Sequence, residues 1–129
     1  MIKNLSHVSL FTNSLSKIKK FYVKKLKLKI IHEFKNSKSK TYGYFLSASK
    51  NTFVEFFLTK KKINSFNKKN HFRHVCFEVD NIKKFEKKFI SKNQTNITRG
   101  KTDNILQFFT KDLEGNIIEF HQRDRKSKF

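Results

Sequence analysis

The sequence is poor in several residue types. Its 129 residues include no proline, no tryptophan, three glycines and a single cysteine, Cys76. One cysteine cannot form a disulfide within the chain, and its presence as a lone thiol fits a reducing compartment. Acidic residues are also few, because ten Asp and Glu stand against thirty Lys and Arg and leave a formal net charge of +20.

Long apolar runs are missing as well. No segment approaches the roughly 18 to 20 apolar residues that span a bilayer, and residues 1–4 lead into a predicted strand without the apolar stretch of a signal peptide. We therefore expect a cytoplasmic protein with no membrane association. The chain is long enough for one domain with a real core, and its 16 phenylalanines predict an aromatic core.

A charge of +20 attracts any polyanion, but the distribution of that charge argues against a specific nucleic-acid partner. Only four of the basic residues are arginine, and no glycine-rich RNA-binding motif is present. The lysines are scattered over every predicted helix and loop, which is what an AT-rich genome imposes on its proteins. Small anionic substrates would still be drawn in by the field.

The sequence repeats one pattern. His7 opens the run HVSLFTNSL, and His74 opens the run HVCFEVDNI, with an offset of 74 − 7 = 67 residues. In each run the strand-period alternation ends at a polar Asn or Asp, and a charged amphipathic segment follows. A second echo pairs Glu55 in FVEFF with Glu119 in IIEFH, at 119 − 55 = 64 residues. We interpret the chain as a duplication of one module.

Hydrophobic periodicity and turn residues predict the same elements in both halves. In the first half they predict strands over residues 5–12, 28–34, 42–48 and 52–59, and a helix that Asn13 or Ser14 caps and that ends near 27. In the second half they predict strands over 72–79, 97–99, 105–110 and 116–122, and a helix that Asp80 or Asn81 caps. The prediction is a single α+β domain, with modules over 5–59 and 71–122, a polar linker over 60–70 and a frayed basic tail over 123–129.

Two glutamates occupy strand positions flanked by apolar residues. Alternation places Glu55 and Glu119 each on a face shared with aromatic or aliphatic side chains. Burying an unpaired carboxylate costs on the order of several kcal/mol, so such a group is neutral, meets a cation or binds a metal. Because each glutamate is matched by a strand-opening histidine, His7 or His74, the pattern predicts a divalent first-row metal held by two imidazoles and two carboxylates.

This order of His, Glu, His and Glu resembles the vicinal oxygen chelate superfamily, which includes glyoxalase I, methylmalonyl-CoA epimerase, fosfomycin-resistance enzymes and extradiol dioxygenases. The resemblance covers residues 5–122 and includes Asp-Leu-Glu-Gly-Asn-Ile-Ile-Glu over 112–119, in which Leu113 replaces a usual proline. It implies the glyoxalase/bleomycin resistance/dioxygenase fold, in which two βαβββ modules form a cupped mixed sheet around one metal. It also implies that the metal ligands are His7, Glu55, His74 and Glu119.

The complete set of two histidines and two glutamates is most similar to glyoxalase I. The resemblance implies a lyase that isomerises a thiol adduct of a 2-oxoaldehyde through an enediolate, with Glu55 or Glu119 as catalytic base and Ni²⁺, Co²⁺, Mn²⁺ or Zn²⁺ as cofactor. An arginine and an asparagine that contact glutathione in glyoxalase I are replaced here by Phe11 and Thr59. The identity of the thiol in the substrate adduct therefore stays open.

Other chemistries on the same platform also stay open. One alternative is an epimerase or a fosfomycin-resistance type of thiol or water transferase, in which Ser9 contacts the substrate. Another is a non-catalytic protein that sequesters a cationic drug, which the charge of +20 disfavours. His121 shares the face of Glu119 and is predicted at the pocket mouth, whereas Cys76 is interpreted as a packing residue and not as a nucleophile.

The resemblance to bacterial glyoxalase I also implies a homodimer with two metal sites. In that arrangement each site takes His7 and Glu55 from one chain and His74 and Glu119 from the other. The polar linker over 60–70 has no proline or glycine to force a tight reversal, which is compatible with this exchange. A site formed within one chain is the alternative.

Overall fold

The structure, a computed structural model, describes residues 1–63, 71–91 and 94–129. The chain divides into two compact units, Met1–Ser65 and Phe66–Phe129. The first unit contains β1 (His7–Thr12), α1 (Leu15–Ile18), β2 (Lys29–Lys35), β3 (Thr41–Ser47) and β4 (Phe53–Leu58). The second contains β5 (Val75–Glu78), α2 (Ile82–Glu86), β6 (Thr98–Arg99), β7 (Leu106–Lys111) and β8 (Ile117–Gln122).

Each unit builds one four-stranded mixed sheet. The strand orders are β1-β4-β3-β2 and β5-β8-β7-β6. In both sheets the first strand of the unit runs parallel to the last, and the remaining neighbours are antiparallel. The predicted fold class, α+β with two βαβββ modules, is confirmed.

The helix of the first unit starts at its predicted cap. The Ser14 hydroxyl accepts a hydrogen bond from the backbone N–H of Lys17 at 3.3 Å. Beyond α1 the chain continues as a π-helical segment, Lys19–Lys25, in which Leu26 N–H donates to the carbonyl of Phe21 at 2.9 Å. The periodicity of the sequence predicts only a continuous helix here, because apolar residues spaced three or four positions apart do not distinguish the two hydrogen-bond patterns over so short a segment.

The helix of the second unit is shorter than its apolar stripe suggests. Asn81 caps it by accepting from the N–H of Lys84 at 3.0 Å. The helix ends at Glu86, whose buried carboxylate accepts hydrogen bonds from the Thr95 hydroxyl at 2.9 Å and from Asn96 N–H at 2.8 Å.

Among the described residues no helix is both long and apolar enough to cross a bilayer.

The core of each unit lies between its helix and one face of its sheet. In the first unit it contains Ile18, Phe21, Tyr22, Leu26, Tyr44, Leu46, Val54 and Phe56, and in the second Ile82, Ile105, Phe108, Ile118 and Phe120. Burying each large side chain contributes roughly 1.5 to 3 kcal/mol. Ring contacts, such as the stacking of Phe108 on Phe120 at 5.1 Å between centroids, confirm an aromatic core. The opposite face of each sheet is left for Glu55 or Glu119.

The turn before β8 shows why the motif over 112–119 has its composition. The buried Asp112 carboxylate accepts hydrogen bonds from Glu114 N–H, Asn116 N–H and the Asn116 side-chain amide at 2.8–2.9 Å. Gly115 has a φ of 86°, which a residue without Cβ adopts freely. Leu113 is exposed at the second position of the turn, so nothing buried depends on the proline that is usual in the superfamily the sequence resembles.

Two substitutions in this turn should change stability in opposite directions. Asp112→Ala should lower the free energy of unfolding by about 2 to 4 kcal/mol, because it leaves buried N–H groups without acceptors. Leu113→Pro should raise it by about 0.4 to 1 kcal/mol, because proline fits this turn position and restricts the unfolded chain. Urea denaturation measures both, and an Asp112→Ala protein as stable as wild type would contradict this account of the turn.

The C-terminal residues, predicted to fray, are anchored in the structure. Arg99 forms an ion pair with Asp124 at 2.6 Å, and this guanidinium lowers the pKa of the Asp124 carboxyl to about 2. Backbone and amide hydrogen bonds add to it, from Asn104 to the carbonyl of Lys126 and from Lys128 N–H to the carbonyl of Asp103, both at 2.9 Å. The sequence pattern cannot reveal these long-range partners.

The predicted linker over 60–70 lies mostly outside the described residues, which omit 64–70. Its first residues are held by Asn13, whose side-chain amide donates to the carbonyls of Thr59 and Lys61 at 2.8 Å. The Asn13 side chain also accepts from the N–H of Ile63 at 3.0 Å. The same residue that follows β1 thus fixes the start of the connection between the units.

Candidate metal centre

The first unit places His7 and Glu55 on one face of its sheet. Glu55 lies in the middle of β4, opposite Ser9 on β1 and Phe45 on β3. His7 is two residues before Ser9 and therefore points to the same side. Its ring meets Phe45 edge-on, with 5.7 Å between centroids and 77° between planes.

The second unit repeats this arrangement in detail. Glu119 lies in the middle of β8, opposite Cys76 on β5 and Phe109 on β7. His74 is two residues before Cys76, and its ring meets Phe109 edge-on at 5.7 Å and 81°. The duplication seen in the sequence therefore extends to strand register and to the packing of each histidine ring.

The second pair is in direct contact. His74 Nε2 lies 2.8 Å from Glu119 Oε2, and the two side chains are 27% and 12% exposed. The other ring nitrogen, Nδ1, is buried and has no hydrogen-bond partner among the described residues. Two ligands bound at right angles to one first-row ion have donor atoms about 3 Å apart, so the contact fits a pair of neighbouring ligands.

The first pair differs from the second. Within the part of the chain that the structure describes, no ion pair joins His7 to Glu55, and His7 Nδ1 forms a hydrogen bond with the Ser6 hydroxyl at 3.3 Å. His7 is exposed, whereas Glu55 is half-buried. The first half thus holds two separated donor groups, and the second holds a paired set.

Two further donors surround Glu119. The Sγ of Cys76, a carboxylate oxygen of Glu119 and a ring nitrogen of His121 all lie within 4.8 Å of one another. The pKa of the Cys76 thiol is raised to about 12, first by desolvation and then by the charge of Glu119 and a hydrogen bond to it. Cys76 is therefore a protonated thiol at neutral pH, which agrees with its exclusion as a nucleophile.

The sequence interprets Cys76 as a packing residue; in the structure the residue lies on the open face of its sheet, and its thiol donates a hydrogen bond to Glu119. The repeat makes Ser9 the first-half counterpart of Cys76 and alternation gives the face of Cys76, but neither shows how close His121 comes to it from β8. A cysteine, a glutamate and a histidine that the strand pattern places on one face are the signal that points to this cluster.

The remaining predicted substrate residues are spread over the first unit. Ser9 is exposed opposite Glu55, and Phe11 is 66% exposed further along β1, opposite Phe57. Thr59 lies just beyond β4 and donates its N–H to the carbonyl of Thr12 at 2.9 Å. The backbone of Thr59 therefore helps to hold the first residues of the connection between the two units.

The surroundings of the two glutamates differ in character. Next to Glu55, the ring of Phe53 stacks on Phe45 at 4.8 Å between centroids, and Phe57 packs against Phe34 at 4.9 Å. The second unit instead has a pocket of about 410 Å³ beside His74, lined by Arg73, His74, Phe109, Thr110, Lys111 and Ile117. This lining has two cationic side chains and no carboxylate, so the pocket favours an anionic ligand.

Two βαβββ units, each with a histidine at its first strand and a glutamate in the middle of its last, define the architecture of vicinal oxygen chelate proteins. A model of the Glyoxalase/Bleomycin resistance protein/Dioxygenase superfamily matches residues 4–120. The chain therefore belongs to this superfamily, and the resemblance drawn from its sequence is confirmed.

Solved structures share the fold of this chain. The chain is similar to a glyoxalase family protein from Enterococcus faecalis, with a TM-score of 0.72, 20% identity, and coverage of 92% of this chain and 97% of that one. It is similar to a lactoylglutathione lyase from Agrobacterium tumefaciens, with a TM-score of 0.67, 14% identity and 95% coverage of both chains. It is also similar to the genomically encoded fosfomycin resistance protein FosX from Listeria monocytogenes, with a TM-score of 0.67, 12% identity and full coverage of both. No functionally curated protein matches the chain significantly.

Proposed function

We propose that this protein is a divalent-metal-dependent lyase of the glyoxalase I kind, which isomerises a thiol adduct of a 2-oxoaldehyde. The observation that carries the proposal is the equivalent placement of one histidine and one glutamate in each sheet, with His74 and Glu119 already 2.8 Å apart. In this proposal His7, Glu55, His74 and Glu119 bind a single ion.

The donor groups suit Ni²⁺, Co²⁺, Mn²⁺ or Zn²⁺. Imidazole and carboxylate are common ligands for these ions, and His74 Nε2 and Glu119 Oε2 bring one of each together. When bound, such an ion supplies Lewis-acid stabilisation of negative charge on substrate oxygens. Phe45 and Phe109 hold the two histidine rings edge-on, which fixes their orientation before any ligand arrives.

We assign the role of general base to Glu55. Glu119 is engaged by His74 and by the thiol of Cys76, whereas Glu55 has neither an ion pair nor a hydrogen bond among the described residues. A carboxylate without such partners is available to accept a proton from carbon and to return it to the neighbouring carbon. Glu119 is then chiefly a ligand, which orients His74 by the contact between them.

The pocket beside His74 indicates an anionic thiol as the carrier of the substrate. Arg73 and Lys111 supply two positive charges there, and the formal charge of +20 adds long-range attraction for anions. Phe11 and Thr59 occupy the positions at which glyoxalase I contacts glutathione, so the proposal includes anionic thiols other than glutathione. A lone cysteine and thiol-dependent chemistry both fit a cytoplasmic enzyme.

The direct test of this function is a thioester assay. Metal-replete protein is mixed with methylglyoxal and each of a panel of thiols, including glutathione and smaller and larger acidic thiols, and thioester formation is followed by absorbance. We expect turnover with at least one anionic thiol, and a loss of turnover on chelation that added Ni²⁺, Co²⁺, Mn²⁺ or Zn²⁺ reverses. Absence of turnover with every thiol in the metal-replete protein would contradict the proposal.

A transferase or epimerase is the second candidate. The observation in its favour is the small basic pocket, which also fits a compact oxyanion such as fosfomycin, with the exposed Ser9 opposite Glu55 as a substrate contact. Opening of the epoxide by water or thiol, or exchange of a substrate proton with deuterium from solvent, in a protein without thioester activity would favour this alternative. Sequestration of a cationic drug is the least supported, because both the pocket and the net charge repel such a ligand.

We further propose a homodimer in which each metal site takes His7 and Glu55 from one chain and His74 and Glu119 from its partner. A single unit has four strands and leaves the ligand-bearing face of its sheet to be covered by another unit. Repulsion between two chains of charge +20 opposes association, but salt screens exposed charges beyond about 8 to 10 Å. A large apolar interface can outweigh the residual repulsion.

A further inference from the structure

The cluster around Glu119 contains more metal-binding chemistry than the proposed lyase uses. Cys76 on β5 faces Glu119 on β8, and His121 follows Glu119 by two residues on the same face. Their three donor atoms, a sulfur, an oxygen and a nitrogen, all lie within 4.8 Å of one another. Neither the family signature nor the proposed catalytic roles need Cys76 or His121.

We infer that Cys76, Glu119 and His121 bind a thiophilic divalent cation such as Zn²⁺ or Cd²⁺, with water as a fourth ligand. Binding displaces the proton of the Cys76 thiol to solvent, and the resulting thiolate, with imidazole and carboxylate, forms a donor set typical of tetrahedral sites for these ions. In such a site the donor atoms are about 3.3 to 3.7 Å apart, so side-chain adjustments of roughly 1 Å are enough to close the cluster. Cys76 is exposed and His121 half-exposed, which leaves the cation a path of entry.

The thiophilic site shares Glu119 with the proposed lyase site but needs neither His7 nor Glu55. Glu119 has His74 on one side and the thiol of Cys76 on the other, so its carboxylate belongs geometrically to both sets. A thiophilic ion held by the cluster would remove Glu119 from its contact with His74. The inference therefore predicts that Zn²⁺ or Cd²⁺ bound at Cys76 competes with the ion held by His74.

The first unit offers a matched internal control. The registers of the two sheets make Ser9 the counterpart of Cys76 and Phe57 the counterpart of His121, and Glu55 the counterpart of Glu119. The first half thus has the same strand pairing and the same carboxylate. It carries a hydroxyl where the second half has the thiol, and a phenyl ring where the second half has the imidazole. Ordinary strand packing explains the first set, whereas only the second set can supply a thiolate.

The test uses Cd²⁺ as the probe on the full chain, with metal removed beforehand. Titration of wild-type protein should produce the ultraviolet charge-transfer band of a cadmium thiolate, saturating at about one equivalent per chain. Cys76→Ser should abolish the band. His121→Gln should weaken Cd²⁺ binding by at least the roughly 10- to 100-fold that even an outer-shell partner contributes. Ser9→Ala should leave the band and the affinity unchanged, and Glu55→Gln should leave the band intact without weakening Cd²⁺ binding.

The outcomes separate this site from the lyase site. A band that is absent at saturating Cd²⁺, or an affinity that His121→Gln leaves unchanged, would overturn the inference. So would a band that Glu55→Gln weakens as much as His121→Gln does, because the sulfur would then belong to the four-ligand site. A Glu55→Gln protein without thioester activity but with an intact band would support the thiophilic site whatever the fate of the proposed function. Cys76→Ala and thermal melts by circular dichroism check that loss of the band is not loss of fold.

Discussion

Replacing Glu55 by glutamine is expected to lower kcat for thioester formation by about 100- to 10,000-fold, with KM changed by only a small factor. The reason is that, of the two proposed glutamate ligands, Glu55 has no ion pair in the described structure, whereas Glu119 is held by His74 at 2.8 Å. Glutamine keeps the size of the side chain and its oxygen donor but cannot accept the proton. The measurement is steady-state kinetics on protein with verified metal content.

Glu119→Gln is the matched control, because it makes the same chemical change at the repeat-equivalent position. It breaks the charge-assisted contact with His74, so its main effect should be weaker metal binding, which added metal partly restores. Equal losses of kcat at full metal occupancy would contradict the division of roles between the two glutamates. A larger kcat effect at Glu119 would reverse the assignment and make Glu119 the base.

The duplication is what made the fold predictable from the sequence. The strand period around His7 and His74, and around Glu55 and Glu119, repeats with nearly constant offsets, and two modules with equal patterns must fold alike. Because a strand has a side-chain period of two, face assignments follow directly from spacing. The observed registers pair Ser9 with Glu55 and Cys76 with Glu119, as the repeat requires.

Features that depend on distant partners could not be predicted in the same way. The π-helical segment Lys19–Lys25 leaves no distinct hydrophobic period. The anchoring of the C-terminal residues depends on Arg99 meeting Asp124 across 25 positions of sequence, and a run rich in charge resembles a free tail until that partner is known. The surroundings of Cys76 belong to the same group, because alternation gives the face of a residue and not the degree to which that face is covered.

The positions of the predicted metal ligands could be predicted from the sequence, but their contacts could not. Sequence places each histidine and each glutamate on a common face within its own unit, and the structure agrees. The difference between the units, a paired His74 and Glu119 against a separated His7 and Glu55, arises from side-chain conformations that strand spacing does not determine. That difference is what allows distinct roles to be proposed for two glutamates that the repeat makes equivalent.

Mixing two inactive variants should restore activity if the metal site is shared between chains. His7→Ala and His74→Ala each remove one proposed ligand from every site of their own homodimer, so each protein alone should be inactive. In a mixed dimer, one site combines both defects, and the other combines the intact His7 of one chain with the intact His74 of its partner. Random exchange makes half of the dimers mixed, with one working site of two, so recovery should reach about one quarter of wild-type activity.

A matched control separates complementation from a general effect of mixing. His7→Ala mixed with Glu55→Gln places both defects in the same half-site, so every site in every dimer remains defective and no activity should return even where the site is shared. The repulsion between chains of charge +20 is screened beyond about 8 Å at moderate salt, so subunit exchange is best driven by dilution at low salt followed by concentration at higher salt. Recovery in the first mixture alone requires two chains to contribute to one metal. Verified exchange without recovery, or a monomer in light scattering, requires each chain to build its own site, and the linker between the two units would then have to bring His7 and His74 of one chain together.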